Sequence, residues 1–295
     1  MKLTRLVLAS IGSVAILTMS TAKAQVLADW TFESDTVAQN NTPIADSGTE
    51  GQTGNSTATA DAIGMATYAT PNVGVNFDDV TTGTTTDTGA NGVADLGKVW
   101  RVRGQAGTNG AANGWSNTAP IAAQGAQFFA STSGITSGSI NISFDWYATT
   151  QGEANLQLEY TTNGTNWINL PLTLSGSDTG LQVLTNSSNA NIVNGSYVND
   201  VKQTTGGGQD WFTDLTATIT NPAALNDPSF GIEMVNAATG TADVSTNNSA
   251  LNNTSGNWRF DNVSIQATPE PSSWALAVIV VLALLGVRRA CRRSV

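Results

Sequence analysis

Between residues 25 and 267, apolar and polar residues alternate with a period of two in one short segment after another, and no stretch keeps the 3.6-residue period of a helix. In residues 139–147, Phe144 and Trp146 share one parity and Asp145 has the other. Because successive side chains of a strand point to opposite faces of a sheet, such segments are typical of strands with one buried face. Short strands separated by polar turns predict an all-β antiparallel sandwich.

A β-hairpin is predicted around the dipeptide Asn163-Gly164. Residues 156–160 alternate before it, and an apolar-rich segment, residues 167–170, follows it. Asn and Gly accept the positive φ angles that tight hairpin turns require. Further strand candidates are residues 27–33, 99–103, 126–130, 215–219 and 230–235.

The last strand of the sandwich changes parity part-way along. Phe260 shares its parity with Trp258, but Val263 has the other parity. One extra residue at this point would keep all three side chains in the core, because a β-bulge places two residues opposite one. We therefore predict a bulge at Asp261 or Asn262.

The side-chain inventory excludes several chemistries. The chain has 295 residues, no His and one Cys, so it can form neither a Ser-His-Asp nucleophile system nor a His-ligated metal site, and no disulfide within the chain. Residues 25–274 hold five basic and 22 acidic residues, a net charge of −17. Such a surface repels phosphates, so no nucleic-acid partner is expected.

The first 24 residues have the three-part pattern of a secretory signal. A positively charged start is followed by a largely apolar run over residues 6–19, and then by Ala22 and Ala24 at the small-residue positions of a cleavage site. The pattern predicts an N-terminal signal helix that signal peptidase removes. The mature, exported chain is expected to begin at Gln25.

The C-terminal segment, residues 268–295, combines three features in a fixed order. The motif Pro269, Glu270 and Pro271 precedes an apolar run over residues 274–287. That run predicts a hydrophobic helix of roughly 21 Å, at about 1.5 Å per residue, against a hydrocarbon core of about 30 Å. Four arginines beyond the run favour a cytoplasmic tail by the positive-inside rule: Arg288, Arg289, Arg292 and Arg293.

This order resembles the PEP-CTERM sorting signal of Gram-negative bacteria that produce exopolysaccharide. The resemblance implies that an exosortase recognises Pro269, Glu270 and Pro271 and releases the domain toward the cell surface or matrix. Thr268 stands where the family often has Val. A permanent C-terminal anchor is the alternative. Three regions follow: a signal peptide (residues 1–24), an ectodomain (25–267) and a sorting segment (268–295).

Four segments of the ectodomain resemble jelly-roll sandwiches of bacterial surface proteins, of concanavalin-like or galactose-binding-like shape. They are residues 29–33, 144–147, 158–167 and 258–265. The resemblance bears on the fold and not on function, since one sandwich hosts lectins, enzymes and spacers. Residues 36–97 hold few large apolar side chains, so a long loop system is expected there.

Catalysis in this chain would have to rest on carboxylates. A glycoside hydrolase needs two of them flanking the scissile bond, and no strand carries two at a close spacing on one face. Asp145 and Glu159 could face each other on neighbouring strands, although outward positions often hold such residues without catalysis. We therefore expect no enzyme activity, with a carboxylate-only hydrolase as the alternative.

No cofactor is expected, but a structural calcium ion stays open. Calcium binds carboxylate, amide and carbonyl oxygens in loops. Asp29, Asp78, Asp79 and Asp261 are the positions of interest, although their spacing matches no recognised loop. Aspartate in turns also commonly bonds to the backbone.

Trp115 differs from the other tryptophans because it lies in a segment rich in Gly and Asn. Arg101 and Arg103 precede that segment. An exposed ring beside two arginines would suit an acidic exopolysaccharide. In the other interpretation, Trp115 folds back to cover an edge of the sandwich. The sequence thus predicts a non-catalytic surface or matrix protein, structural or adhesive, with a glycan-binding module, calcium-dependent in one form, as the alternative.

Overall fold

A computed structural model describes residues 24–32, 42–46, 58–65, 77–79, 87–88, 94–95, 98–103, 114–176, 180–201, 211–253 and 256–268. The strands along these residues are β1 (Gln25–Trp30), β2 (Thr59–Ile63), β3 (Phe77–Asp79), β4 (Asp87–Thr88), β5 (Ala94–Asp95), β6 (Lys98–Arg103), β7 (Trp115–Ser116), β8 (Gly125–Phe129), β9 (Ser139–Ala148), β10 (Asn155–Thr161), β11 (Trp167–Leu170), β12 (Gln182–Asn186), β13 (Gly195–Asn199), β14 (Phe212–Ile219), β15 (Gly231–Asn236), β16 (Asn252–Asn253) and β17 (Asn257–Thr268). Two single-turn 3-10 helices, Pro222–Ala224 and Gly240–Ala242, flank β15. The described part of the chain contains no α-helix.

Two antiparallel sheets form a sandwich. Sheet A begins with the order β14-β9-β17. On its other edge, the first half of β17 pairs with β6, which in turn pairs with β3, and the second half of β17 pairs with β1. Sheet B has the order β12-β13-β10-β15-β8-β2, with β11 also paired to β10. The pairs β4-β5 and β7-β16 are separate two-stranded sheets.

The core lies between the two sheets and is rich in aromatic rings. Phe128 of sheet B lies 5.1 Å from Trp30 and 5.8 Å from Trp100 of sheet A, measured between ring centroids. Phe128 is 0% exposed. Ile140, Ile142, Phe144 and Trp146 are also buried. The alternation in residues 139–147 therefore predicted the inward face of β9 correctly.

The hairpin and the bulge are both confirmed. Strands β10 and β11 pair in antiparallel register around Gly164, whose φ is +73°. On β17, Asp261 lies opposite Asp145 and Ser264 lies opposite Ser143, so β17 holds one residue more than β9 there. Asn262 has a φ of +48°. The bulge turns Val263 and Ile265 into the core, where both are 0% exposed.

The expectation of a loop system over residues 36–97 is partly wrong. Four short strands, β2 to β5, lie in that range, and β2 forms an edge of sheet B beside β8. Ala60, at 2% exposed, is the one buried residue of β2. Because small alanines give a weak alternation signal, β2 does not stand out in the sequence.

The two 3-10 turns are the only helices among the described residues. No helix there is long and apolar enough to cross a membrane. The predicted signal helix and the apolar run over residues 274–287 lie outside the described residues.

Candidate functional site

A row of polar side chains crosses the face of sheet B that points away from sheet A. Cross-strand pairing places its members side by side on five neighbouring strands: Asp61, Gln127, Glu233, Glu159 and Asn169. Their neighbours in sequence have the opposite parity and point toward the core, as the buried Phe128 beside Gln127 does. We call this set the acidic row.

The next row toward the β10-β11 turn carries two aromatic rings. Phe129, Gly231, Thr161 and Trp167 lie side by side on β8, β15, β10 and β11. The rings of Phe129 and Trp167 lie 5.9 Å apart between centroids, and both residues are half-buried. We call them the aromatic pair.

Gly231 allows the aromatic pair to form. A Cβ atom at this position would lie 2.5 Å from Cδ1 of Phe129, which is closer than real Cβ contacts. Without a side chain there, the Phe129 ring can reach across β15 toward Trp167. Thr161, which lies between Gly231 and Trp167 in this row, is 0% exposed.

Hydrogen bonds hold the far end of the acidic row in place. The Asn169 amide donates from Nδ2 to the carbonyl of Ser196 over 2.8 Å, and its Oδ1 accepts from the Ser196 N–H over 2.7 Å. These two hydrogen bonds tie β11 to β13, and the two strands pair with different parts of the same edge of β10. The absence of a side chain at Gly195 leaves room for Asn169.

The two central carboxyl groups of the acidic row form one titrating unit. Glu159 and Glu233 are direct cross-strand partners, and Glu233 is 4% exposed. Burial, with the hydrogen bond to Glu159 and its charge, raises the pKa of Glu233 to about 9. Burial also raises the pKa of Glu159, and the hydrogen bond to Glu233 opposes that rise. Near neutral pH Glu233 therefore keeps its proton, which it can donate to Glu159.

This geometry suits binding better than hydrolysis. Carboxyl groups that share a hydrogen bond bring their oxygens to about 2.5–3 Å. The two glycosidase mechanisms separate their carboxyl groups by about 5–5.5 Å or 6.5–9.5 Å, which leaves room for the sugar or a water. Beside the aromatic pair, the acidic row instead supplies oxygens that accept hydrogen bonds from hydroxyl groups.

The structure decides between the two interpretations of Trp115. Its side chain is 0% exposed, and its ring lies 4.5 Å from that of Trp258. Of the two interpretations, the exposed glycan contact is wrong for this residue, because the ring packs in the core. Arg101 lies opposite Arg259 on sheet A, and Arg103 lies opposite Asn257, its side chain being outside the description.

The other predicted positions also separate in space. Asp145 belongs to β9 of sheet A and Glu159 to β10 of sheet B, so these carboxylates do not face each other on neighbouring strands. Among the calcium positions, Asp29 lies opposite Ser264, whereas Asp261 lies opposite Asp145. For Asp78 and Asp79 only the backbone, in β3, is described. Among the described residues, no group of three or more acidic or Cys side chains could hold a metal ion.

The outer face of sheet A has a shallow groove of about 310 Å³. The polar side chains that line it are uncharged, and some already form hydrogen bonds within the protein. Thr218 donates to Asn141 over 3.0 Å, and Asn141 donates to Thr268 over 2.6 Å. The lining holds no aromatic ring. The groove is therefore less suited than sheet B to a sugar ring.

Sequence reasoning missed the pair of Glu159 and Glu233. These residues lie on different strands, and only the register between β10 and β15 brings them together. Both had the outward parity of their strands, which was the only signal in the sequence. Strand order cannot be read from parity.

A comparison with known proteins finds no matching family model, no similar curated protein and no similar solved structure. The resemblance to PEP-CTERM proteins therefore rests on the sequence motif and stays a prediction. Ala22, the motif from Pro269 to Pro271, and the arginines from Arg288 to Arg293 lie outside the described residues, whereas Gln25 begins β1.

Proposed function

We propose that the protein is an exported, non-catalytic β-sandwich that binds a glycan through the outer face of sheet B. The observation that supports this function is the aromatic pair beside the acidic row. An aromatic ring stacks on the apolar face of a sugar, while carboxylate and amide groups bond to its hydroxyls. A rigid β face holds both kinds of group in fixed positions, which lowers the entropic cost of binding.

The charge of the site favours a neutral glycan. The acidic row contains three carboxyl groups, and the surrounding domain has a net charge of −17 over residues 25–274. Acidic polysaccharide would be repelled by such a surface. The preference is thus opposite to the one expected for a site built around Trp115 and Arg101.

The terminal segments suggest where the protein works. In the proposal, signal peptidase removes residues 1–24, and an exosortase acts at the motif of Pro269, Glu270 and Pro271. The sandwich, of jelly-roll type and flanked before processing by two hydrophobic helices, then serves a structural or adhesive role at the cell surface or in the exopolysaccharide matrix of a Gram-negative bacterium.

Replacing Trp167 with alanine is expected to weaken binding of a neutral polysaccharide about 10- to 100-fold, because the stacking ring is lost. Affinity electrophoresis with a soluble β-glucan, and with alginate as the acidic comparison, measures this. Ile168→Ala is the matched control, since Ile168 is the next residue, has the opposite parity and is 43% exposed. It should change the affinity less than twofold.

Two results would contradict the glycan proposal. One is that the unsubstituted protein binds no neutral polysaccharide in a panel of β- and α-glucans. The other is that Trp167→Ala and Ile168→Ala bind equally well. Preferential binding of alginate would contradict the assignment of a neutral ligand.

Intact mass tests the sorting proposal separately. We expect protein recovered from the surface or medium of the producing cells to lack residues 1–24 and to end near Pro269 to Pro271. A mass that includes the chain through Val295 would show that the C-terminal segment is kept. The protein would then be a membrane-anchored domain, and the matrix role would lose its support.

A further inference from the structure

A second pair of carboxyl groups is buried at one end of the sandwich. Glu153, just before β10, is 0% exposed, and Asp243, just after a 3-10 turn, is 1% exposed. Their segments meet where Glu153 pairs with Ser245 through an isolated antiparallel bridge. Glu153 precedes Glu159 by six residues, roughly 20 Å along a strand at about 3.3 Å per residue. The pair is therefore separate from the proposed glycan site.

Most of the carboxyl oxygens in this pair have no hydrogen-bond donor. Oε1 of Glu153 accepts from the Asn155 N–H over 2.7 Å and from its Nδ2 over 2.9 Å. Among the described residues, no donor other than a proton on one of these two carboxyl groups reaches Oε2 of Glu153 or either Oδ atom of Asp243. Buried acceptors without a partner are rare because each loses its hydration.

The two carboxyl groups face each other. Burial, followed by the hydrogen bond and charge of Asp243, raises the pKa of Glu153 well above its ordinary value. Burial raises the pKa of Asp243 to about 6. A proton shared between the groups would supply one donor only, and it would leave one of the three oxygens without a partner.

We propose that Glu153 and Asp243 bind a divalent cation, and that the cation is calcium. A hard cation satisfies all three oxygens at once and cancels the repulsion between two buried negative charges. Calcium takes six to eight oxygen ligands in flexible geometry, so carbonyl oxygens and water can complete the shell that two carboxylates begin. Magnesium demands a stricter octahedron and gives up its water reluctantly.

Neighbouring groups already orient the first ligand. Asn155 fixes Oε1 of Glu153 through two hydrogen bonds, and the same carboxyl group interacts with Asp243. The Trp258 indole donates from Nε1 to the backbone carbonyl of Glu153 over 2.7 Å. Such outer contacts are typical of the groups that hold metal ligands in place. They also put an indole beside the site.

Terbium luminescence tests the proposal on the full chain. Tb³⁺ substitutes for calcium, and Trp258 is close enough to sensitise it. We expect saturable Tb³⁺ emission on excitation of tryptophan, with a stoichiometry of about one, and loss of that emission on addition of Ca²⁺. Glu153→Gln and Asp243→Asn should each weaken Tb³⁺ binding at least about 100-fold. Glu233→Gln is the matched control, because it alters the other buried acidic pair and should leave the emission unchanged.

A stability measurement covers the case in which the variants do not fold. At a Ca²⁺ concentration about 100 times the dissociation constant, the melting temperature of the unsubstituted protein should exceed that in EGTA by about 5–10 °C. The same melting temperature in both conditions would overturn the proposal and indicate a shared proton. Emission that is lost in Glu233→Gln but kept in Glu153→Gln would also overturn it.

Discussion

Replacing Asp145 with alanine is expected to lower the free energy of unfolding by about 3 kcal/mol, because a buried donor and a part-buried donor then lose their acceptor. Asp145 is 0% exposed. Its Oδ1 accepts from the Asp214 N–H over 2.8 Å, and its Oδ2 accepts from Nδ2 of Asn262 over 3.0 Å. Urea unfolding at neutral pH measures the change.

The reason for this large effect is that Asp145 holds two bulges at once. Strand β14 has an extra residue between Phe212 and Leu215, opposite β9, just as β17 has one after Asp261. Asp214 and Asn262, the residues at these bulges, have φ angles of 55° and 48°. Such left-handed conformations are costly for side chains other than glycine, so they need outside support.

Ser143→Ala is the matched control for Asp145→Ala. Ser143 lies two residues earlier on the same face of β9 and is half-buried. The control should change the stability by less than about 0.5 kcal/mol. Asp145→Asn separates charge from shape, since it keeps one acceptor oxygen. If Asp145→Ala were no less stable than Ser143→Ala, the two bulges would not depend on this carboxylate.

The second large effect is a dependence of stability on pH that Glu233→Gln should remove. The folded protein keeps a proton on Glu233 up to a pKa of about 9, whereas the unfolded chain releases it near the ordinary value of 4.5. Between these two pH values the folded state binds more protons. The contribution of this proton to the free energy of unfolding is therefore fully present below about pH 4.5. It declines as the pH rises from there and is lost above about pH 9.

Glutamine at position 233 mimics the protonated acid, because its amide can donate to Glu159 at every pH. We expect the melting temperature of Glu233→Gln to exceed that of the unsubstituted protein by about 5 °C more at pH 9 than at pH 5. One proton changes stability by at most about 1.4 kcal/mol per pH unit, and partial exposure of Glu159 reduces this. Other buried carboxyl groups titrate in both proteins, so the difference between the two curves is the measured quantity.

Glu159→Gln sharpens the same experiment. It removes the neighbouring charge but leaves Glu233 buried, and burial is the largest cause of the raised pKa. The pH dependence should then shrink without disappearing. Parallel curves for Glu233→Gln and the unsubstituted protein would show that Glu233 is not the group that keeps the proton.

Much of the fold could be predicted because it depends on local patterns. Alternation located the buried face of β9, and Asn163-Gly164 located the β10-β11 hairpin. The parity change before Val263 located the bulge to within two residues. Each signal lies within a dozen residues, and burial of one face is enough to produce it.

The order of the strands could not be predicted in this way. Trp115 shows the difficulty, since its segment rich in Gly and Asn left both exposure and burial open, and only the contact with Trp258 shows that the ring is completely buried. Asp145 has the outward parity expected for it, and yet two bulges bury its carboxylate. Neither contact leaves a mark on the neighbouring sequence.

The sequence by itself determined the side-chain chemistry of this protein. It excluded imidazole and disulfides, set an acidic surface and specified which side of each clear strand faces the core. Only the tertiary structure placed Glu159 beside Glu233, Phe129 beside Trp167, and Glu153 beside Asp243. Parity assigns a side chain to a face of its own strand, but the pairing of distant strands decides which side chains meet on that face, and both candidate sites depend on such meetings.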